Sequence, residues 1–152
     1  MNKEELKARI TSLVPEATFD EAGEFLNAVI PGEKVYAFLK SLRESADTAF
    51  DYLFCETCID LPQNFDLVYH LTSATHRHTL VVKGRITDKQ NPAIDTVCDI
   101  WRTAEFHERE IFDLFGIKFN NHPDLRRIFM PDDWKGYPLR KDYVDEINMV
   151  AL

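Results

Sequence analysis

The chain has 152 residues, of which 45% are hydrophobic and 29% are charged. This balance is typical of one folded domain and excludes a chain that is disordered throughout. The 18 basic and 26 acidic side chains give a net charge of -8, which argues against nucleic acid or anionic lipid as a partner because a field of that sign repels both. The sequence also lacks an apolar run long enough for a membrane span and a secretion signal.

Two amphipathic helices and a strand are predicted in the first third of the chain. Apolar residues recur at helical spacing over residues 3–14, and Pro15 ends that pattern. Residues 24–30 have the composition of a strand, which the Pro-Gly pair at 31–32 terminates. A second helix is predicted from residue 35 to about residue 45, where apolar side chains again lie on one face.

Three strands and a third helix are predicted to follow. The strands cover residues 50–59, 65–72 and 77–86, with short connections that suit antiparallel neighbours. The helix is predicted from about residue 94 to residue 115, and Gly116 is placed to cap it in a left-handed conformation. This order predicts an α+β fold with two layers, in which helices pack on one face of a mixed or mainly antiparallel sheet.

Residues 120–152 are predicted to form an irregular C-terminal arm, which follows a globular domain at residues 1–119. Prolines at 123, 131 and 138 interrupt every helical or strand period in the arm. Five basic residues are concentrated between residues 126 and 141, together with Phe129, Met130, Trp134 and Tyr137. Because aromatic residues and arginine anchor protein interfaces, we expect the arm to bury these side chains against another protein.

Glu108 lies in the centre of the apolar face of the predicted third helix. A carboxylate in that position must be paired, since an uncompensated buried charge destabilises the folded state by roughly several kcal/mol. We therefore predict that Glu108 is buried and contacts an arginine of the arm, or helps to hold the arm in a shape that another subunit recognises. Arg109 is spaced to join Glu105 and Asp113 on the same helix.

No catalytic or metal site is predicted. Cys55 and Cys58 form a C-x-x-C pair within a predicted strand, where residues three apart point to opposite faces. With Cys98 they make an odd number of thiols, so a reducing compartment is expected. The histidine-containing pairs, His76 with His78 and His107 with Glu110, each lack further ligands at zinc-site spacing. Phosphate-binding glycine motifs and a serine nucleophile motif are also missing from the sequence.

Residues 101–143 closely resemble the signature region of the 30-kilodalton subunit, also called the C subunit, of respiratory complex I. A weaker likeness, including the hexapeptide VYHLTS at 68–73, extends over residues 30–145. The resemblance is carried by Glu108, Arg109, Glu110, Asp113, Gly116, Ile117, His122, Pro123, Arg127, Pro131, Trp134, Pro138, Leu139, Arg140, Lys141, Asp142 and Tyr143. These residues are accordingly the candidate partner-binding or signature positions.

The resemblance implies a non-catalytic subunit in the peripheral arm of an NADH:quinone oxidoreductase. Such a subunit binds no cofactor of its own, whereas the whole complex uses NADH, FMN, iron-sulfur clusters and quinone and couples electron transfer to ion translocation. The implied partner is the D-type subunit, which helps to form the quinone site and is similar to the large subunit of nickel-iron hydrogenases. The implied location is the cytoplasmic side of the membrane, reached only through the complex.

Two alternatives remain open at this stage. The equivalent subunit of a membrane-bound nickel-iron hydrogenase or a ferredoxin-dependent complex would carry a similar arm, and the genes next to this one would distinguish the two hosts. A free-standing enzyme that uses the cysteine and histidine residues is the other alternative. Activity or stoichiometric metal in the purified protein would support it.

Overall fold

A computed structural model of the chain describes residues 1–147 and contains three α-helices, a short 3-10 helix and seven strands. The helices are α1 (Lys3–Leu13), α2 (Val35–Glu44) and α3 (Ala104–Phe115), and the 3-10 turn Gly32–Lys34 leads directly into α2. The strands are β1 (Thr18–Asp20), β2 (Leu26–Pro31), β3 (Tyr52–Asp60), β4 (Phe65–Ser73), β5 (His78–Ile86), β6 (Ala93–Asp95) and β7 (Lys118–Asn120).

Five strands form one mixed sheet in the order β1-β2-β5-β4-β3. The pairs β1–β2, β5–β4 and β4–β3 are antiparallel, whereas β2 and β5 run parallel because the chain passes through α2, β3 and β4 between them. Strands β6 and β7 form a separate parallel pair, and α3 lies between them in the sequence. The chain thereby returns at Asn120 beside the loop that precedes α3.

The core lies between one face of the five-stranded sheet and the helices. Leu6 and Ile10 of α1, the apolar face of α2, and Ala104 and Ile111 of α3 pack against the inward side chains of β2 to β5. Its largest fully buried side chains are Tyr69, Phe50, Phe65 and Phe119. Burial of this much apolar surface is the main favourable contribution to folding.

The structure confirms the predicted α+β class and the two main helices near the N-terminus, but it shortens the third helix. Residues 94–103, predicted as helix, form β6 and a loop with turns before α3 begins at Ala104. The prediction was wrong there because β6 is fixed by pairing with β7, 25 residues further along the chain. Local periodicity carries no information about such a distant partner. Strand β1 was also missed, because a strand of only three residues is too short to show an alternating pattern.

The two thiols of the C-x-x-C pair point to opposite faces of the sheet, as predicted. Cys58 pairs with core residue Leu67 and is buried, whereas Cys55 pairs with His70 and is half-buried. Burial raises the pKa of the Cys58 thiol to about 12, so this sulfur stays protonated near neutral pH.

Within residues 1–147, none of the helices is long and apolar enough to cross a membrane.

Candidate partner-binding site

Asp113 of α3 is the point where the arm is attached to the folded domain. Its carboxylate is fully buried, and one oxygen accepts hydrogen bonds from the backbone N–H groups of Ile128, Phe129 and Met130 at 3.2, 2.7 and 3.0 Å. The other oxygen accepts from Arg127 at 3.1 Å. Burial by itself would raise the pKa of Asp113, but these four donors lower it below its usual value. The carboxylate therefore fixes three consecutive residues of the arm.

Arg127 holds two further turns of the arm in place. Besides Asp113, its guanidinium donates to the backbone carbonyls of Trp134 and Gly136 at 3.1 and 3.0 Å, and it lies 5.1 Å from the centroid of the Tyr137 ring. The planar group with five N–H donors suits this task, because it can bind a carboxylate and several carbonyls at once. Residues 127–137 are thereby folded back on α3.

Arg109 is almost completely buried and binds the arm through its backbone. Its Nε and one terminal nitrogen donate to the carbonyls of Arg126 and Arg127 at 3.1 and 3.0 Å. The prediction that Arg109 joins Glu105 and Asp113 is wrong. Once the arm covers α3, the arm's carbonyls need donors, and Asp113 is already occupied by Arg127 and three N–H groups.

Arg140 and its neighbours attach the arm at a second place. Arg140 donates to the carbonyl of Phe115, and its guanidinium lies between the rings of Phe65 and Tyr137, at 5.3 and 5.0 Å from their centroids. The backbone N–H of Lys141 donates to Asp60 at 2.9 Å. The expectation that these guanidinium groups need another protein is therefore wrong for Arg127 and Arg140, which find partners within their own chain.

Gly116 is required where α3 ends, for two reasons. Its φ of 74° lies in the left-handed region, where residues with a side chain are disfavoured. A Cβ atom at this position would also lie 2.5 Å from the Tyr137 ring. Gly116 thus allows Tyr137 to pack directly on the end of the helix, beneath Arg127 and Arg140.

Glu108 is fully buried, as predicted, but its predicted arginine partner is wrong. Its two carboxylate oxygens accept hydrogen bonds from the Thr96 hydroxyl and from the backbone N–H of Val97. His122, the first signature residue of the arm, has its Nε2 atom 3.8 Å from Glu108 and donates to the carbonyl of Glu105 at 3.0 Å. The arginine of the arm is bound instead by Asp113, five residues further along α3.

The outer surface of α3 and the arm exposes several large apolar side chains. Phe106 is 59% exposed, Phe129 is 63% exposed and Leu139 is 53% exposed, and Ile128 is also exposed. We call these four residues the apolar patch. Asp113 binds the backbone of Ile128 and Phe129, and Leu139 donates its backbone N–H to the carbonyl of Leu114 on α3. Neighbouring exposed apolar side chains are typical of a protein–protein contact.

The signature residues fall into two groups according to their position. An inner group is bonded or packed within the chain: Glu108, Arg109, Asp113, Gly116, His122, Arg127, Arg140 and Tyr143, with Ile117 in the core. An outer group is exposed: Glu110, Pro123, Pro131, Leu139, Lys141 and Asp142. Trp134 and Pro138 are half-buried between the two, and the buried indole N–H of Trp134 has no acceptor among residues 1–147. Residues 148–152 of the arm lie outside the described residues.

Two residues that complete this arrangement were not predicted from the sequence. Asp60, at the end of β3, receives the arm through Lys141 and also binds Lys89. Thr96 supplies a hydroxyl donor to Glu108. The alternation of β3 does place Asp60 on the same face as buried Cys58, which is the signal that could have identified it.

In the part of the chain that the structure describes, no group of three or more histidine, cysteine or acidic side chains is arranged to hold a metal ion. The described contacts around α3 form a scaffold of hydrogen-bonded arginines and a buried aspartate.

Comparison with known proteins places this scaffold in a family. The model of the family described as the respiratory-chain NADH dehydrogenase 30 kDa subunit matches residues 28–147. The chain is 43% identical over 124 residues to the fused C/D subunit of the NADH-quinone oxidoreductase of Phocaeicola vulgatus, with 81% of this chain and 24% of that protein covered. It is 37% identical over 133 residues to the C subunit of the Moorella thermoacetica enzyme, with 86% and 88% covered.

A similar fold occurs in a solved respiratory assembly. A chain of the membrane-bound sulfane sulfur reductase, an archaeal respiratory membrane complex, superposes with a TM-score of 0.77 and 31% identity, covering 95% of this chain and 86% of that one. The chain thus has an α+β fold that also occurs in a respiratory membrane complex. It belongs to the complex I 30 kDa family, the family of the NADH-quinone oxidoreductase C subunits. The resemblance noted in the sequence is confirmed, although the chain spans only about a quarter of the fused C/D relative.

Proposed function

We propose that this chain is the C-type subunit in the peripheral part of an NADH-quinone oxidoreductase. In this proposal it has no catalytic residue and binds no cofactor. The NADH, FMN, iron-sulfur clusters and quinone belong to the other subunits of the complex. Its task is to bind a D-type subunit through α3 and the arm, residues 120–152, and so to support electron transfer to quinone. Its association with the membrane, on the cytoplasmic side, is through the complex.

The observation that carries this proposal is the apolar patch on α3 and the arm. The inner signature residues use their hydrogen bonds within the chain, which leaves the patch and the outer signature residues available to a partner. Relatives from Phocaeicola vulgatus and Bacteroides thetaiotaomicron are named as combined C/D subunits, so in them a C part and a D part share one polypeptide. Fusion of two parts in one chain supports their association when the parts are encoded separately.

A second host complex is favoured by one specific observation. The similar structure from the archaeal sulfane sulfur reductase covers 95% of this chain, so the same scaffold is used in a respiratory membrane complex of a different kind. The alternative function is therefore that of the equivalent subunit in a membrane-bound hydrogenase or ferredoxin-dependent complex. In that case the apolar patch would bind the corresponding large subunit.

Isolation of the complex from the host organism tests the proposal. The full chain, tagged at its N-terminus, is expressed from its own locus, membranes are solubilised in mild detergent, and the companions are identified by mass spectrometry. We expect a D-type subunit in equal amount, together with NADH-binding flavoprotein subunits. A D-type partner without those flavoproteins would establish the alternative host, and recovery of the chain without any D-type subunit would contradict both functions.

A further inference from the structure

Two buried carboxyl groups lie in the interface between α3 and the sheet. Glu56 projects from β3 into the core side of the sheet and is only 3% exposed, and Glu108 projects from α3 and is fully buried. The two groups are close enough to interact electrostatically. A pair of acids inside a protein is unusual, because burial disfavours the ionised form of each.

The hydrogen bonds of the two acids differ sharply. Both oxygens of Glu108 accept hydrogen bonds, from the Thr96 hydroxyl and the Val97 N–H at 2.8 Å. Neither oxygen of Glu56 has a donor among the residues that the structure describes, although both are buried. Hydrogen bonds from donors favour a carboxylate, and their lack favours the protonated acid. The surroundings therefore favour protonation of Glu56 more strongly than protonation of Glu108.

The titratable groups that face this pair come from each neighbouring element. They are Cys55 on β3, Tyr69 on β4, Cys98 and Asp99 in the loop before α3, and His122 after β7. The Nδ1 atom of His122 accepts from the N–H of Asp124, and its Nε2 atom donates to the carbonyl of Glu105, both at 3.0 Å. Neither a lysine nor an arginine is among these neighbours in residues 1–147.

Burial acts in the same direction on both acids. Burial, followed by the charge of Glu108, raises the pKa of Glu56 well above its ordinary value. Burial also raises the pKa of Glu108, and the two hydrogen bonds that it accepts oppose that change. A surface cavity of about 710 Å³ is lined in part by Thr96, Cys98 and Glu105. The hydroxyl of the same Thr96 binds Glu108.

We propose that Glu56 and Glu108 form a buried proton-binding site that holds one proton at neutral pH and thereby locks α3 against the sheet. Loss of that proton would place two negative charges in the same apolar interface. Because α3 carries the residues that attach the arm, the site makes the stability of the whole partner-binding surface dependent on pH. This inference does not depend on the identity of the partner.

The test compares the unfolding of the full chain with that of its Glu56→Gln variant as the pH is raised. Glutamine has nearly the shape of a protonated glutamate but does not titrate. An acid with a raised pKa in the folded state destabilises that state progressively above its unfolded pKa of about 4.3. Relative to Glu56→Gln, the unfolding constant of the wild type should therefore increase about tenfold per pH unit between about pH 5 and 7. The exposed Glu110→Gln serves as the matched control and should show a constant ratio to wild type.

A spectroscopic measurement keeps the proposal testable even if the variant folds poorly. The carboxyl carbon of Glu56 in the wild-type chain, followed by NMR, should show the shift of a protonated acid at about pH 7. A Glu56 carbon that titrates near its ordinary pKa of about 4.3, or a wild-type unfolding curve that stays parallel to that of Glu56→Gln, would overturn the proposal.

Discussion

Replacement of Asp113 by asparagine is expected to lower the free energy of unfolding by about 3–5 kcal/mol, the usual range when one partner of a buried ion pair is removed. The buried carboxylate accepts three backbone N–H groups of the arm and the guanidinium of Arg127. The NH2 group of an asparagine would face one or more of these N–H groups, which would then lack an acceptor. Chemical denaturation of the full-length variant measures the effect, and the arm should detach before the core unfolds.

The pH dependence of the same variant provides an independent check. Because the pKa of Asp113 is lowered in the folded state, its contribution is present above the unfolded pKa of about 3.9 and is lost as the pH falls toward the folded value. The wild type should therefore lose stability more steeply than Asp113→Asn below about pH 4. Glu110→Gln, an exposed change on the same helix, should alter stability by less than about 0.5 kcal/mol. Equal stability of Asp113→Asn and wild type would show that the aspartate does not anchor the arm.

Removal of the apolar patch should weaken partner binding strongly without unfolding the chain. The double variant Phe129→Ala, Leu139→Ala deletes two side chains that are 63% and 53% exposed, so the core is unchanged. If they are interface anchors, affinity for the D-type subunit should fall by about 2–4 kcal/mol, or roughly 30- to 1,000-fold in Kd. Titration of the purified D-type subunit with each variant gives the Kd.

A matched control is available on the outward face of the sheet. Tyr52 and Phe54 on β3 are exposed to a similar degree, at 52% and 40%, and Phe54 packs on the His70 ring of β4. Tyr52→Ala, Phe54→Ala should bind the D-type subunit like the wild type. If this pair abolished binding while the patch variant retained it, the partner would have to lie on the sheet.

Much of the fold could be predicted because the strongest signals are local. Helices α1 and α2 were predicted to within one residue of their observed ends, since a single apolar stripe faces the core in each. The three long strands β3, β4 and β5 were recognised from their own runs of aromatic and β-branched residues between turns. The start of α3 was predicted ten residues too early. Strand β6 depends on pairing with β7, and periodicity in residues 94–103 could not reveal that pairing.

The site was less predictable because its contacts link distant parts of the chain. The apolar face of α3 correctly indicated that Glu108 is buried, but this pattern does not reveal which group binds the Glu108 carboxylate. Its donors come from a loop eleven and twelve residues earlier, whereas the arm returns to Asp113 from fourteen to seventeen residues later. Helical spacing suggested Glu105 and Asp113 as partners of Arg109, yet tertiary packing offered better acceptors in the carbonyls of the arm.

Hydroxyl-radical footprinting of the chain, free and within the complex isolated from its host, tests directly whether the apolar patch binds the D-type subunit. Oxidation of Phe129 and Leu139 should fall several-fold in the complex, while oxidation of Tyr52 and Phe54 should fall much less. Unchanged oxidation of Phe129 and Leu139 in a complex that contains the D-type subunit would contradict that binding.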